Sequence, residues 1–303
     1  MLEHTKGVYI VAQTPFDEAG NVDLNSIDSL VEFYRQHGAS GFTVLGVSGE
    51  AGKLTSAEAQ QVAQRYIERA GDLPVIVGVS NPSLAQLADF SAQVMDLGAA
   101  GVMVAPPAGI QTDEELFGYF AALFRHNEGI PTVLQDFPFA SKVAMSVPAI
   151  LQLVESHPEI GLIKEEDLPC LNKITRLRES QGRRVAILTG NNAMYLPLEL
   201  RRGADGPMAG FSYPEMLAQV YQLHQRGEAD KADDLFDLYL PLLRYEAMGF
   251  WGVCARKEVM RRRGAIAHAT MRTPGPRLSA QDLAELDRLV ARVEQRRGEY
   301  AGA

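Results

Sequence analysis

Cysteine is nearly absent: Cys170 and Cys254 are the only two in 303 residues, too few for a disulfide framework, and no Cys/His cluster at metal-ligand spacing accompanies them. Both read as free thiols in a reducing compartment. No block of basic residues is long enough to offset a formal net charge of −9, which opposes attraction to nucleic acid or to an anionic membrane. No apolar run approaches the roughly 20 residues of a membrane span. The first 20 residues also lack a basic segment followed by an apolar one, so no secretory leader is read there and a cytoplasmic location is expected. Lysine is scarce as well. Among 29 basic side chains only Lys6, Lys53, Lys142, Lys164, Lys173, Lys231 and Lys257 are lysines, leaving 22 arginines. A lysine that ends a hydrophobic run is therefore not routine surface decoration here.

What the chain does have is alternation. Short β-branched runs at Val8–Val11, Phe42–Leu45, Val75–Val79, Val102–Val104, Thr132–Gln135, Leu162–Lys164, Val185–Leu188 and Gly206–Ala209 read as strands. Stripes with a period near 3.6, such as Ile27-Leu30-Val31-Tyr34 and Leu116-Tyr119-Phe120-Leu123, read as helices between them. Thr55-x-x-Glu58, Thr112-x-x-Glu115 and Ser279-x-x-Asp282 are capping-box patterns that sign helix starts. Gly38-Ala-Ser-Gly41, Gly98-Ala-Ala-Gly101 and Gly203-Ala-Asp-Gly206 each stand between a helix pattern and a strand, with the first glycine suited to a left-handed helix stop. Eight such alternations within about 215 residues fit a parallel eight-stranded (β/α)8 TIM barrel of the α/β class better than an open doubly wound sheet. After Pro214 the strand signal ceases. The expected organisation is a barrel domain over residues 1–214 and a C-terminal helical extension over 215–303, in which Arg261-Arg262-Arg263 before Gly264 reads as a solvated helix end.

In such a barrel the reactive groups stand at the C-terminal ends of the strands. The second strand runs into Gly46-Val47-Ser48-Gly49-Glu50, whose successive N–H groups and Ser48 hydroxyl can hold a carboxylate. The fifth ends at Gln135-Asp136, with Asp136 read as a turn former before Phe137-Pro138. The seventh ends in Gly190-Asn191-Asn192 and the eighth in Gly210-Phe211-Ser212. The sixth ends at Lys164, followed by Glu165-Glu166-Asp167. Of the two strong bases only lysine can become a neutral nucleophile, because desolvation lowers its pKa into reach. The plain alternative is a strand-end lysine paired with Glu165 or Asp167, Glu165 itself falling on the outer face of the strand.

Thr14-Pro15-Phe16, Gly46-x-x-Gly49-Glu50, Pro106, Asp136-x-Pro138, Ile163-Lys164-Glu165 and Lys257 in the tail form an ordered set along nearly the whole chain. On that set the sequence resembles the dihydrodipicolinate synthase / N-acetylneuraminate lyase family of Schiff-base-forming aldolases and dehydratases. The resemblance implies a barrel with a helical tail, commonly assembled as a homotetramer. It implies a small-molecule 2-oxo acid as substrate, and neither a metal nor an organic cofactor. Lys164 matches the lysine that condenses with the ketone. The loop carrying Val47, Ser48 and Gly49 matches the one that holds the 2-oxo acid carboxylate.

The departures narrow the branch. Gln135 stands where most members have a proton-relaying tyrosine, Val47 where they have a hydroxyl residue, and Ala140 where the lysine-pathway synthase has a carboxylate-binding arginine. With Gln135-Asp136-x-Pro138 and Tyr239-Leu240-Pro241, these look most like the branch of 2-keto-3-deoxy-pentonate (L-arabonate) dehydratases. The catalytic set expected on that basis is Lys164, Gln135 and Ser48, with a water held by Gln135, Ser48 or Ser212 as shuttle. The substrate is expected against Val47, Ser48, Gly49, Gly190, Asn191, Gly210 and Ser212. A pyruvate-releasing retro-aldol lyase, a synthase-like condensation and a non-catalytic 2-oxo acid binding protein are the other readings.

Overall fold

Side chains alternate across a strand, so in a closed parallel sheet half of each strand fills the interior and half packs under the helices. The computed structural model, which describes residues 2–301, has this arrangement. Eight strands close in sequence order: β1 (Tyr9–Val11), β2 (Gly41–Val44), β3 (Val75–Gly78), β4 (Gly101–Val104), β5 (Thr132–Asp136), β6 (Ile160–Glu165), β7 (Ala186–Thr189) and β8 (Gly206–Ala209). All are parallel, and β1 pairs with β8 to complete the barrel. Tyr9, Val11, Ile76, Met103, Val133, Leu162, Ala186, Leu188 and Met208 pack inside it. Their strand neighbours Ile10, Val77, Val102, Leu134, Ile163 and Ile187 face the helices in the larger core. Leu2 plugs the N-terminal end, where Gly101 and Gly161 leave room for it.

The helices are α1 (Leu24–Gln36), α2 (Ser56–Ala70), α3 (Leu84–Asp96), α4 (Asp113–His126), the short α5 (Pro138–Ser141), α6 (Val147–Ser156), α7 (Cys170–Arg178), α8 (Leu196–Arg201), α9 (Pro214–Gln225), α10 (Ala229–Glu246), α11 (Gly249–Arg262) and α12 (Ala280–Ala301). The capping boxes of α2 and α4 are made in full, and Ser279 and Asp282 exchange bonds at the start of α12. Each expected strand appears, with ends moved by a residue or two. The largest shift is at β6, which starts at Ile160, two residues before the expected Leu162; β5 and β6 also run one residue further, through Asp136 and Glu165, where Lys173 binds Asp136 on the outer face.

Two surface readings change. Helix α11 does end at Arg262 with Gly264 following at φ 75°, and Arg261 and Arg262 are exposed over Glu258 of their own helix. But Arg262 also pairs with Asp287 of α12, and Arg263 lies over the Phe33 and Tyr213 rings while pairing with Glu215. Asp136 is no turn former either. It is fully buried as the last residue of β5, with one oxygen on Lys173. Cys170 and Cys254 are buried and unbridged. Among the described residues no helix is long and apolar enough to cross a membrane.

Candidate active site

Register brings Gln135, Lys164 and Leu188 side by side across β5, β6 and β7. Alternation then points Lys164 the same way as Leu162, into the barrel, where only 5 % of it remains exposed. Its partner is neither Glu165 nor Asp167. Glu166 turns its carboxylate back over the mouth, with Oε2 3.0 Å from Lys164 Nζ. The same oxygen accepts the Gln135 amide at 2.7 Å, and Oε1 accepts the Asn191 N–H at 3.3 Å. Gly190 makes this possible, since a Cβ there would lie 2.3 Å from the Cγ and Cδ of Glu166. Lys164, Gln135, Gly190 and Asn191 thus converge on one acid that the sequence presents only as part of an acidic stretch. The period-two pattern held the signal: if residue 164 faces in and 165 out, 166 returns to the side of 164.

Behind this inner group lies an outer one. Glu165 and Asp136 are neighbours on the far face of the sheet, and Lys173 from α7 binds Asp136 and, at 2.9 Å, Asp167. Burial, with the nearby Asp136 charge, pushes the Glu165 carboxyl up to about 9. Glu199, which accepts the Cys170 thiol at 3.1 Å, is pushed up to about 7 by burial. These acids brace the wall and do not enter the pocket.

The loop after β2 forms a short 3-10 turn over Val47–Gly49. Within it the N–H groups of Gly49 and Glu50 bond back to Gly46 and Val47, which leaves those of Val47 and Ser48 at its open start. Thr14 Oγ1 donates to the Gly49 carbonyl at 2.6 Å. Glu50 follows in the left-handed region (φ 57°), and its buried carboxylate takes Lys257 at 2.5 Å, Lys53 at 2.8 Å and the Arg272 N–H at 3.1 Å. Val47 and Gln135 border one cavity of about 810 Å³, which opens across the ends of β3 and β4 toward Ser80 and Phe90. Gly46 and Val47 of the loop and Gln135 of the inner group therefore border the same space, while Ser48, Lys164 and Glu166 do not line it. The strand ends thus bring an amine and an acid together at Lys164 and Glu166, with the start of the β2 loop bordering the adjoining cavity.

Two expected residues are placed elsewhere. Ser212 is fully buried and donates both its hydroxyl and its N–H to Glu246, so it is not available to hold a shuttle water. Gly210 backs onto the Arg256 guanidinium, where a Cβ would come within 2.4 Å of Nη1. Among the described residues no group of three or more His, Cys, Asp or Glu is arranged to hold a metal ion.

A family model for the dihydrodipicolinate synthetase family matches residues 4–293. An L-2-keto-3-deoxyarabonate dehydratase of Azospirillum brasilense is 30% identical over 294 residues, covering 95% of this chain and 94% of that protein. A 4-hydroxy-tetrahydrodipicolinate synthase of Methanococcus maripaludis is 27% identical, covering 79% of this chain and 82% of its own. Among solved structures, a dihydrodipicolinate synthase from Rhodopseudomonas palustris superposes with a TM-score of 0.94 at 41% identity, over 96% of this chain and 99% of that one. A sialic acid aldolase of Ruminococcus gnavus, at 17% identity and a TM-score of 0.89 over 97% of each chain, shares the fold.

Proposed function

The chain belongs to the dihydrodipicolinate synthetase family and is thereby an enzyme of the lyase class; from that premise we propose that it dehydrates a 2-keto-3-deoxy sugar acid through a Schiff base on Lys164. The observation that carries the reading is the Glu166 carboxylate held between Lys164 and Gln135. The Lys164 amine adds to the C2 ketone and water leaves, giving an iminium that draws electrons from C3. Glu166 takes a C3 proton to form the enamine. It then returns that proton to the C4 hydroxyl, which departs as water and leaves a C3–C4 double bond conjugated to the iminium. Hydrolysis frees the product and the amine. Gln135 cannot transfer a proton at neutral pH, and it serves by holding Glu166 in line. Glu166 thus replaces the water shuttle as the proton carrier.

The Val47 and Ser48 N–H groups take the substrate carboxylate, with the Ser48 hydroxyl beside them. Support for dehydration over a synthase-like condensation comes from the place where that reaction's arginine would stand. Ala140 is there, and the nearest cation, Lys142, gives its ammonium to the Phe139 carbonyl and ring. A homotetramer in the cytoplasm, with the barrel over 1–214 and the helical extension over 215–303, completes the proposal.

Borohydride trapping with pyruvate and a panel of 2-keto-3-deoxy acids, read by mass spectrometry, tests it. The expected result is an adduct on Lys164 in the wild type and none in Lys164→Arg. Glu166→Gln retains the pyruvate adduct but loses dehydration by about 10²-fold or more. Turnover in Lys164→Arg refutes the Schiff base, an adduct with no turnover of any substrate supports the binding protein, and pyruvate release identifies a retro-aldol lyase.

A further inference from the structure

Asn191, Asn192 and Ala193 all have positive φ, 49°, 54° and 59°. Asparagine tolerates the left-handed region, but alanine gains nothing there, and three successive non-glycine residues in it require outside support. The support comes from Arg256 of α11, 1 % exposed and among the largest fully buried side chains. Its Nη2 donates to Asn192 Oδ1 at 2.6 Å, while Nε binds Glu246 at 3.1 Å. Glu246 is in turn locked by the Ser212 N–H and hydroxyl. Nη1 has no partner among the described residues and is pressed against Gly210, so the guanidinium has no free rotation left. At its other end the same turn presents the Asn191 N–H to Glu166 Oε1.

We propose that Arg256 is a positioning residue: through Asn192 it fixes the left-handed turn at 190–193, and the turn fixes the Glu166 carboxylate against Lys164. This rests on the reading of Glu166 as the C3 proton carrier and adds the device that aims it. A carboxylate held on one side by Gln135 and Lys164 and on the other by a backbone N–H has one orientation. Without the N–H it is free to rotate, and a proton transfer displaced by as little as 1 Å can slow about 10²-fold.

The test uses pyruvate, which needs no knowledge of the natural substrate. Borohydride trapping reports the Lys164 imine, and deuterium uptake at the pyruvate methyl in D₂O, followed by NMR, reports proton removal at C3. Arg256→Met strips Glu246 of its cation and risks unfolding, so the decisive variant is Asn192→Gly. It removes the acceptor while glycine suits the left-handed backbone, which keeps the fold. The expected outcome is an imine yield within about twofold of wild type and deuterium uptake slowed about tenfold or more. Asn192→Asp, which keeps an acceptor for Arg256, recovers most of the lost rate. Wild-type deuterium uptake in Asn192→Gly, or Asn192→Asp as slow as Asn192→Gly, overturns the inference while leaving the Schiff base intact. A wild-type protein that forms no imine sinks the proposed function first and this inference with it. One that forms the imine without exchanging the methyl protons removes Glu166 as the carrier.

Discussion

Replacing Lys257 with methionine keeps the unbranched apolar stem out to the ε-carbon and removes the ammonium. Each of the three ammonium protons has an acceptor in the structure: Glu50 Oε1 at 2.5 Å, the Thr14 carbonyl at 2.9 Å and the Thr270 carbonyl at 3.0 Å. Both charged side chains are fully buried. Breaking such a pair from one side costs about 3–5 kcal/mol, because the remaining charge stays buried without its counterion. Lys53 and the Arg272 N–H still serve the other Glu50 oxygen, which moderates the loss, while the two orphaned carbonyls add to it. A net destabilisation of about 4 kcal/mol is the expectation. At an unfolding entropy of about 2.1 cal/mol/K per residue, that lowers the melting temperature of a chain this size by about 6 °C. The double variant Glu50→Gln/Lys257→Met removes the orphan charge and regains part of the loss, and urea unfolding of wild type, the two single variants Glu50→Gln and Lys257→Met, and the double variant measures the difference. Lys257→Met within about 1 kcal/mol of wild type, or a double variant no more stable than Lys257→Met, refutes the argument.

Gly190→Ala places a methyl where the Glu166 side chain passes, so Glu166 must leave Lys164; turnover falls about 10²-fold or more with the melting temperature nearly kept, and unchanged kcat would show that Glu166 is not needed there. Burial raises Glu165 to about 9, so the folded protein binds a proton that the unfolded chain releases near its ordinary value of 4.5. That stability is complete below the unfolded pKa and is lost as pH rises through the folded one, at about 1.4 kcal/mol per pH unit. Glu199, raised to about 7, acts in the same direction below neutrality. Urea unfolding at pH 7, 8 and 9 is therefore expected to show falling stability, and a flat or rising profile contradicts a protonated Glu165. A fragment ending at residue 214 lacks both Lys257 and Arg256, and is expected to show no cooperative melting transition by circular dichroism; a sharp transition would make the barrel self-sufficient.

Elements were legible wherever pattern and local chemistry agreed. Strand runs, capping boxes and helix-stopping glycines depend on neighbours within a few residues, and a barrel orders its strands by sequence, so the topology followed. Lys164 was legible because a lone ammonium ending an apolar run is costly without a purpose. Glu166 is not legible because its contact with Lys164 depends on Gly190, 24 positions away in sequence, vacating the space its side chain crosses. Ser212 misled for a similar reason: its position after β8 is that of a pocket residue, and only the return of Glu246 from α10 turns its hydroxyl inward. Asp136 read as a turn former until Lys173, 37 residues on, neutralised it inside the sheet.

Helix α11 is built into the loops at the strand ends rather than laid on the outside of the barrel. Every residue of α11 from Gly252 to Met260 is buried, which an amphipathic helix lying on a surface cannot achieve. A helix buried on all sides must be wedged between elements, and successive residues then point about 100° apart toward different ones. Lys257 reaches Glu50 beyond β2, and Arg256, one position earlier, reaches Asn192 beyond β7. One helix therefore holds both the loop after β2, through Glu50, and the turn that bonds to Glu166. A shift of α11 would move the two together, so the spacing between the β2 loop and the Glu166 carboxylate is fixed by a rigid helix and not by the loops themselves.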